Sequence, residues 1–587
     1  MSRQHTQWKF GALAGLAVVV VTSIPQLMVW LHRGRDWQGS YACVDPDELA
    51  YSAYLNSLIE GRPRRNNPYL RLEDAPASAT SENLYSIQFL PAYAIALPAR
   101  IMRLSASTVF ILLVPIMAFA SSLAIFWLLL DVTGNEKLSA VGSMIILLCG
   151  VIISESPFAE NNYSGFPFLR RYIPALPFPL FFLFCAFVWR AFANRAKNAL
   201  VWTLAAGTTF VLLVYSYFYL WTAAGAWLLC FTTIWLVARP ADRAHILKCV
   251  STFGIVALMA LIPYFYLLAH RAQTMDQTHA LALTHSPDLF RLTEIISAFI
   301  LVVLISRARR RRISWKSPEV LFAFSCALAP FAVFNQQIIT GHALQSFHYE
   351  QFIINYLVLV GAAITYKLVC WQLPIRPALW VALALIVGVM TGLQMSFLES
   401  DRNRLRDEAI PVFENIKVRG NHGPTEGTAL FDSVLLAASA PTTASFAVLW
   451  SPYLYTFGST SAAENRERFY QYLYYLGIDK RRLEILLNEE PLYRAAVFGL
   501  HRVNNKLTIN FNPVTAEEIQ AEVQSYSAYI DGFSREQATR WPLSSVILVN
   551  NHSYNLSNLD RWYERDGGER IAGSLIYGLQ LRGETKH

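Results

Sequence analysis

The sequence predicts a polytopic α-helical membrane protein with about eleven transmembrane helices, followed by an extracytoplasmic carboxy-terminal domain of α/β or α+β class. Three observations carry that expectation. Of 587 residues, 54% are hydrophobic and only 15% charged, where ordinary soluble domains carry roughly 25%. Apolar runs of about 20 residues, the length that crosses a bilayer, recur from Phe10 to Leu398. Aromatic residues reach 13%, with 15 Trp and 28 Tyr, which suits a chain whose amphipathic rings collect at membrane interfaces. This composition argues against a soluble cytosolic enzyme and against disorder. The net charge of +8 comes without the long basic tract that a nucleic-acid partner calls for.

Spans are expected near 10–31, 108–130, 138–154, 174–193, 199–216, 220–238, 249–268, 291–306, 319–338, 352–370 and 377–398. The first is too long for a signal-peptide core and lacks a cleavage site. The stretch 86–104 is broken by Pro91, Pro98, Arg100 and Arg103 and is expected to lie along the interface. With the amino terminus in the cytoplasm, the inner loops receive Lys137, Arg195, Lys197, Arg239, Arg243, Lys248, the cluster Arg307 to Arg312, Lys316, Lys367 and Arg376, in agreement with the positive-inside rule. An odd number of spans places the tail outside. The expected organisation is a membrane domain over 1–398, with a first outer loop at 32–107, and an external domain over 399–587. In that tail, TALFDSVLLAASA and SSVILVNN read as short strands, while AENRERFYQYLYYLGI and TAEEIQAEVQSYSAYI read as helices. Seven cysteines are too few for a disulfide framework, and Cys43 alone falls in an outer loop.

The outer loops hold the residues that invite chemistry. Asp45, Asp47 and Glu48 place three carboxylates ahead of an amphipathic helix that begins near Leu49, and Asp45 or Asp47 could simply cap it. Arg170 and Arg171 sit in a second outer loop, on the side the charge rule disfavours, and guanidinium is well made for holding a phosphate. A third loop supplies His342, Gln345, His348 and Glu350; the two histidines are six apart, which is not helical metal spacing. Tyr51 and Tyr163 stand beside these groups as candidates to line a substrate cavity. The run YSYFYLWTAAGAW from Tyr215 reads first as an interface belt and second as a stacking surface for a sugar or a polyprenyl chain.

At this point the chain resembles the GT-C superfamily of integral membrane glycosyltransferases, which use lipid-phosphate-linked sugars. Pro46-Asp47-Glu48, then Tyr51-Ser52, are similar to the PDExxYA run of the lipid A aminoarabinose transferases and to the Asp-Glu pair of protein O-mannosyltransferases. Asp45-Pro46 is similar to the DP motif of oligosaccharyltransferase catalytic subunits. The tail has no WWD, and Leu90-Pro91 stands where the aminoarabinose enzymes have a Lys-Pro pair. The resemblance implies an inverting single displacement by a hexosyl- or pentosyltransferase. Asp47 would be the general base, Asp45 or Glu48 its support, and Arg170 and Arg171 the donor-phosphate ligands. The donor is a polyprenyl-phosphate sugar and the acceptor a glycan, lipid or protein; no nucleic acid is involved. Asp45 and Asp47 also spell DxD, a pattern suited to a divalent cation, but no metal and no other cofactor is assigned by default.

Two rival readings use the same letters: a lipid-linked sugar flippase or transporter, which calls for ionisable residues at mid-membrane depth, and a non-catalytic membrane protein of GT-C-like fold. The expected location is a bacterial inner membrane, with the tail periplasmic.

Overall fold

The computed structural model describes residues 2–71, 81–153, 165–193, 198–272, 275, 282–283, 287, 289–343, 345–369, 377–421, 427–444, 446–499, 502–503, 512–549 and 555–583. A helix stands at each expected span. Among the described residues, six helices are long and apolar enough to cross a membrane: Ala106–Thr133, Glu136–Ile153, Phe218–Ala238, Pro240–Ala269, Ser346–Val369 and Pro377–Leu398. A seventh results if the amino-terminal pair Trp8–Thr22 and Ile24–Asp36, bent by 42°, counts as one span. Pro25 explains that bend, because its ring cannot continue a regular helix. Pro177–Ala193, Ala199–Val214 and Pro318–Phe334 are apolar but shorter, and Leu292–Arg309 carries charge at both ends. The expectation of about eleven crossings thus rests on six or seven helices that meet the length and composition of a span.

The helices pack around rings. Phe192 stacks on Phe231 at 5.3 Å and Phe231 on Trp227 at 5.3 Å, and the buried Trp227 indole donates to Ser325 Oγ at 3.1 Å, so its one polar atom is satisfied. Pro377–Leu398 closes against the first helix through Gly388, where an added Cβ would meet Val21 Cγ1 at 2.7 Å.

The helix Asp47–Ile59 departs from expectation. An amphipathic helix with one face on the membrane was expected; in the structure every residue from Glu48 to Leu58 is buried, as in a helix packed on all sides. Leu90–Ile101 and Ala106–Thr133 cover it, together with Val434–Ser439 and Ala440–Thr442 from the distant tail. The stretch expected along the interface forms the short helices Leu84–Ile87 and Leu90–Ile101.

Beyond Leu398 the chain builds a mixed sheet in the order Ala447–Val448, Thr428–Phe431, Leu543–Leu548, Ser574–Leu581, Tyr563–Arg565. The first three strands are parallel, and Ser574–Leu581 runs antiparallel to Leu543–Leu548. Both stretches expected as helices are helical. Ala462–Tyr475 starts where Ser461 accepts from Glu464 N, and Ala516–Asp531 starts at a Thr515/Glu518 capping box. Their aromatic faces form a second core with Leu430, Trp450 and Val546.

Candidate active site

The acidic loop is held from both sides in sequence. Asn403 on the helix Ser400–Glu408 accepts from Cys43 N at 2.8 Å and donates to Cys43 O at 3.0 Å. Arg406 donates to Tyr41 O at 3.1 Å, while Asp407 accepts from Ser40 N at 3.2 Å and from Arg33 at 2.8 Å. The loop therefore rests on the helix that follows the last apolar segment. Asp45 Oδ1 accepts from Asp47 N at 2.9 Å, a local turn that starts the helix at Asp47. Cys43 is buried, its thiol is pushed up to about 12 by burial, and it lies beneath the site as a packed residue.

Arg170 and Arg171 come to these acids from 123 residues away and part company there. The next residue, Tyr172, has a left-handed φ of 56°, an uncommon conformation for a bulky side chain. Arg171 turns down: it meets Glu48 Oε1 at 2.7 Å and donates to Phe110 O at 2.9 Å and Leu169 O at 3.3 Å. Both partners are sealed, with side chains 1% and 0% exposed, and Val44 N adds a bond to Glu48 Oε2 at 3.1 Å. Arg170 turns up: Nη2 pairs with Asp47 and Nε lies 3.3 Å from Asp45 Oδ2. Here the carboxylates are accessible, 50% for Asp47 and 32% for Asp45.

Around Arg170 the walls are aromatic. Its guanidinium lies over Tyr51 at 5.2 Å and over Phe352 at 5.3 Å, geometry that favours a cation. Tyr217 Oη accepts from Arg170 at 3.4 Å and is 2.9 Å from His348 Nδ1; His348 stacks on Tyr219 at 4.5 Å. Phe352 belongs to a π-helical turn, Glu350–Ile354, of the kind that often marks functional positions. Asp45, Arg170, Phe352, Phe166, Met395 and Glu399 line a cavity of about 520 Å³, its open mouth included. One wall is charged and the rest is largely apolar.

Electrostatics separate the acids further. Burial raises the Asp45 carboxyl to about 7, Arg170 opposes the shift, and the charges of Asp47 and Glu48 add to it. Burial also raises Glu399, against the pull of Arg402 and Arg406.

Of the residues expected at a site, the structure brings together Asp45, Asp47, Glu48, Arg170, Arg171, Tyr51 and His348. Glu350 turns instead to Arg291, at 2.6 Å. Tyr163 lies outside the described residues, and of His342 only the backbone is described, paired with Leu283. Arg171 departs from the expected phosphate role, because a sealed guanidinium with three protein partners has no face left for a ligand. Among the described residues, no group of three or more His, Cys, Asp or Glu side chains is arranged to hold a metal ion. Tyr217 lies in the aromatic run from Tyr215 that reads as a possible stacking surface. Sequence reasoning missed Glu399 at the site; an acid at the end of the last apolar run was the available signal.

No family model and no curated protein matches the chain. Among solved structures it is similar to ArnT from Cupriavidus metallidurans. For the apo state the identity is 12%, over 98% of this chain and 98% of that one, with a TM-score of 0.44. For the form bound to undecaprenyl phosphate it is 12%, over 96% and 97%, with a TM-score of 0.41. It is also similar to the archaeal oligosaccharyltransferase AglB from Archaeoglobus fulgidus, in complex with an inhibitory peptide and a dolichol-phosphate, at 10% identity over 97% of this chain and 74% of that one, with a TM-score of 0.42.

Proposed function

We propose that the chain is a GT-C-type membrane glycosyltransferase, transferring a sugar from a polyprenyl-phosphate donor to an acceptor on the outer face of the membrane. The observation that carries this reading is Arg170, which lines a largely apolar cavity together with Asp45 and pairs with Asp47 beside it. A lipid-phosphate sugar asks for that combination: a cation for the phosphate, apolar walls for the chain, and a carboxylate for the acceptor proton.

The chemistry balances on these groups. The acceptor oxygen attacks the anomeric carbon and its proton passes to Asp47. The bond from that carbon to the phosphate oxygen breaks, and its electron pair leaves with polyprenyl phosphate. Arg170 neutralises the departing phosphate. Without donor, Arg170 pairs with both carboxylates; a donor phosphate competes for the same guanidinium and frees Asp47 to accept a proton when substrate is in place. Attack opposite the leaving group inverts the anomeric centre. Glu48 and Arg171 hold the floor, Asp45 supports the developing positive charge, and Tyr51 and His348 shape the walls.

The site faces the bacterial periplasm in this reading, with the amino terminus cytoplasmic and the segment from residue 399 outside. No metal or other cofactor enters the mechanism. The test is transfer of radiolabelled sugar from a panel of polyprenyl-phosphate donors by the full chain in nanodiscs, with the anomeric configuration of the product read by NMR. One donor consumed with inversion supports the reading. A donor that binds without being consumed opposes it and favours a flippase.

A further inference from the structure

Tyr453 belongs to the tail, 407 residues from the acidic loop, yet its hydroxyl donates to the carbonyl of Pro46 at 2.7 Å. Pro46 is the residue between Asp45 and Asp47, and its ring leaves it without an N–H, so its carbonyl is the one backbone hydrogen-bonding group it offers. The preceding residue is tied by its side chain to Asp47 N. That carbonyl also accepts from Leu49 N at 3.2 Å in the first helical turn, so the Tyr453 hydroxyl is a second donor, reaching from outside to the short backbone stretch from which both carboxylates project.

The segment around Tyr453 is built to keep it there. Ser451 Oγ accepts from Tyr453 N at 3.4 Å, and Tyr453 O accepts from Thr456 N at 3.2 Å, which winds Leu454–Phe457 into a single tight turn. That turn is stapled to the first outer loop at three further points. Asn67 donates to Leu454 O at 3.0 Å, Asn83 donates to Phe457 O at 2.9 Å, and Phe457 stacks on Tyr85 at 4.5 Å with an interplanar angle of 13°. Tyr69 lies against the Tyr453 ring at 6.1 Å. Asn67, Asn83 and Phe457 anchor the turn at points away from the Tyr453 hydroxyl, whose hydrogen bond goes to the residue between the two acids.

We propose that Tyr453 is a positioning residue: through the Pro46 carbonyl, the carboxy-terminal segment sets the orientation of Asp47 toward the acceptor. The assignment rests on the transferase reading above and adds a residue of the tail to it. Tyr453 is not among the residues that line the donor cavity, and its hydroxyl bonds to the backbone between the two acids, so it acts on the base and not on the phosphate.

The test is a double-substitution cycle on the full chain in nanodiscs, combining Tyr453→Phe with Asp47→Asn and measuring transfer with saturating donor. Tyr453→Phe removes one oxygen and keeps the ring. In the wild-type background it is expected to lower kcat about fivefold to tenfold, the effect of one lost hydrogen bond, with the donor KM unchanged. In the Asp47→Asn background it is expected to cost less than about twofold, because the group it positions is gone. A merely structural role lowers the folded fraction and costs the same factor in both backgrounds, and equal costs overturn the assignment alone. A wild-type chain that transfers sugar from no donor overturns the transferase reading and this assignment with it.

Discussion

Asp47 and Glu48 are neighbours in the chain, as are Arg170 and Arg171, yet the two ion pairs they form occupy different environments. Glu48 and Arg171 make a sealed floor whose hydrogen bonds go to protein groups. Asp47 and Arg170 make a rim that is open on the carboxylate side and lies beside the cavity. Two local features produce the split. The helix starting at Asp47 turns successive side chains about 100° apart, and the non-helical backbone at Arg170, φ −90° and ψ 82°, turns Arg171 away from it. A doubled motif in a sequence can therefore encode one sealed pair and one open to solvent.

The largest expected effect is on the floor. Arg171→Met leaves Glu48 buried without its cation and should cost about 3–5 kcal/mol of stability, seen as a lowered thermal midpoint in detergent. Adding Glu48→Gln to it should recover part of that loss. A single variant that melts like wild type would erase the distinction between floor and rim.

On the rim, Arg170→Lys keeps the charge and loses the planar fork that reaches two acids and a phosphate. The donor KM should rise about tenfold, with the thermal midpoint little changed; steady-state kinetics against donor concentration read both parameters. An unchanged KM would move phosphate recognition elsewhere.

The smallest effect is a titration. Asp45 is raised to about 7 by burial, with Asp47 and Glu48 adding to the shift and Arg170 opposing it. The pH–rate profile should contain an ionisation near pH 7 that disappears in Asp45→Asn. The same shift has a stability consequence of defined sign. Between the ordinary carboxyl value near 4 and about 7, the folded chain holds a proton that the unfolded chain has released. Asp45's contribution is thus present in full below about pH 4 and declines as pH rises through 7. Melting curves of wild type and Asp45→Asn across that window should converge toward low pH.

Much of this was legible in the letters, and the exceptions have physical causes. The apolar runs gave helices at every expected position, because a long uncharged stretch has few other ways to satisfy its backbone in lipid. The acids of the first loop and the arginines of the second lie together in the fold, a shared site that the letters suggested and that only a fold could assemble. The surroundings of Asp47–Ile59 were not legible. Tyr51, Tyr54, Leu55 and Leu58 read as one face of a surface helix, and part of the covering for its other faces came from residues 434–442, nearly 400 positions on. Nor could adjacency tell Arg170 from Arg171, since the difference lies in the non-helical backbone between them, φ −90° and ψ 82° at Arg170. Tyr453 carried no signal, because a single hydrogen bond between segments 407 residues apart leaves no pattern in one sequence.

The most direct test of the account compares two neighbouring substitutions, Asp47→Asn and Glu48→Gln, in the same nanodisc preparation, with transfer rate normalised to folded protein. Asp47→Asn should melt within about 2 °C of wild type and lose transfer by at least about a hundredfold, the size expected of a general base. Glu48→Gln should melt lower and keep a rate per folded molecule within about threefold of wild type. The opposite pattern, with transfer surviving in Asp47→Asn and abolished in folded Glu48→Gln, would contradict the account and place the chemistry on the floor.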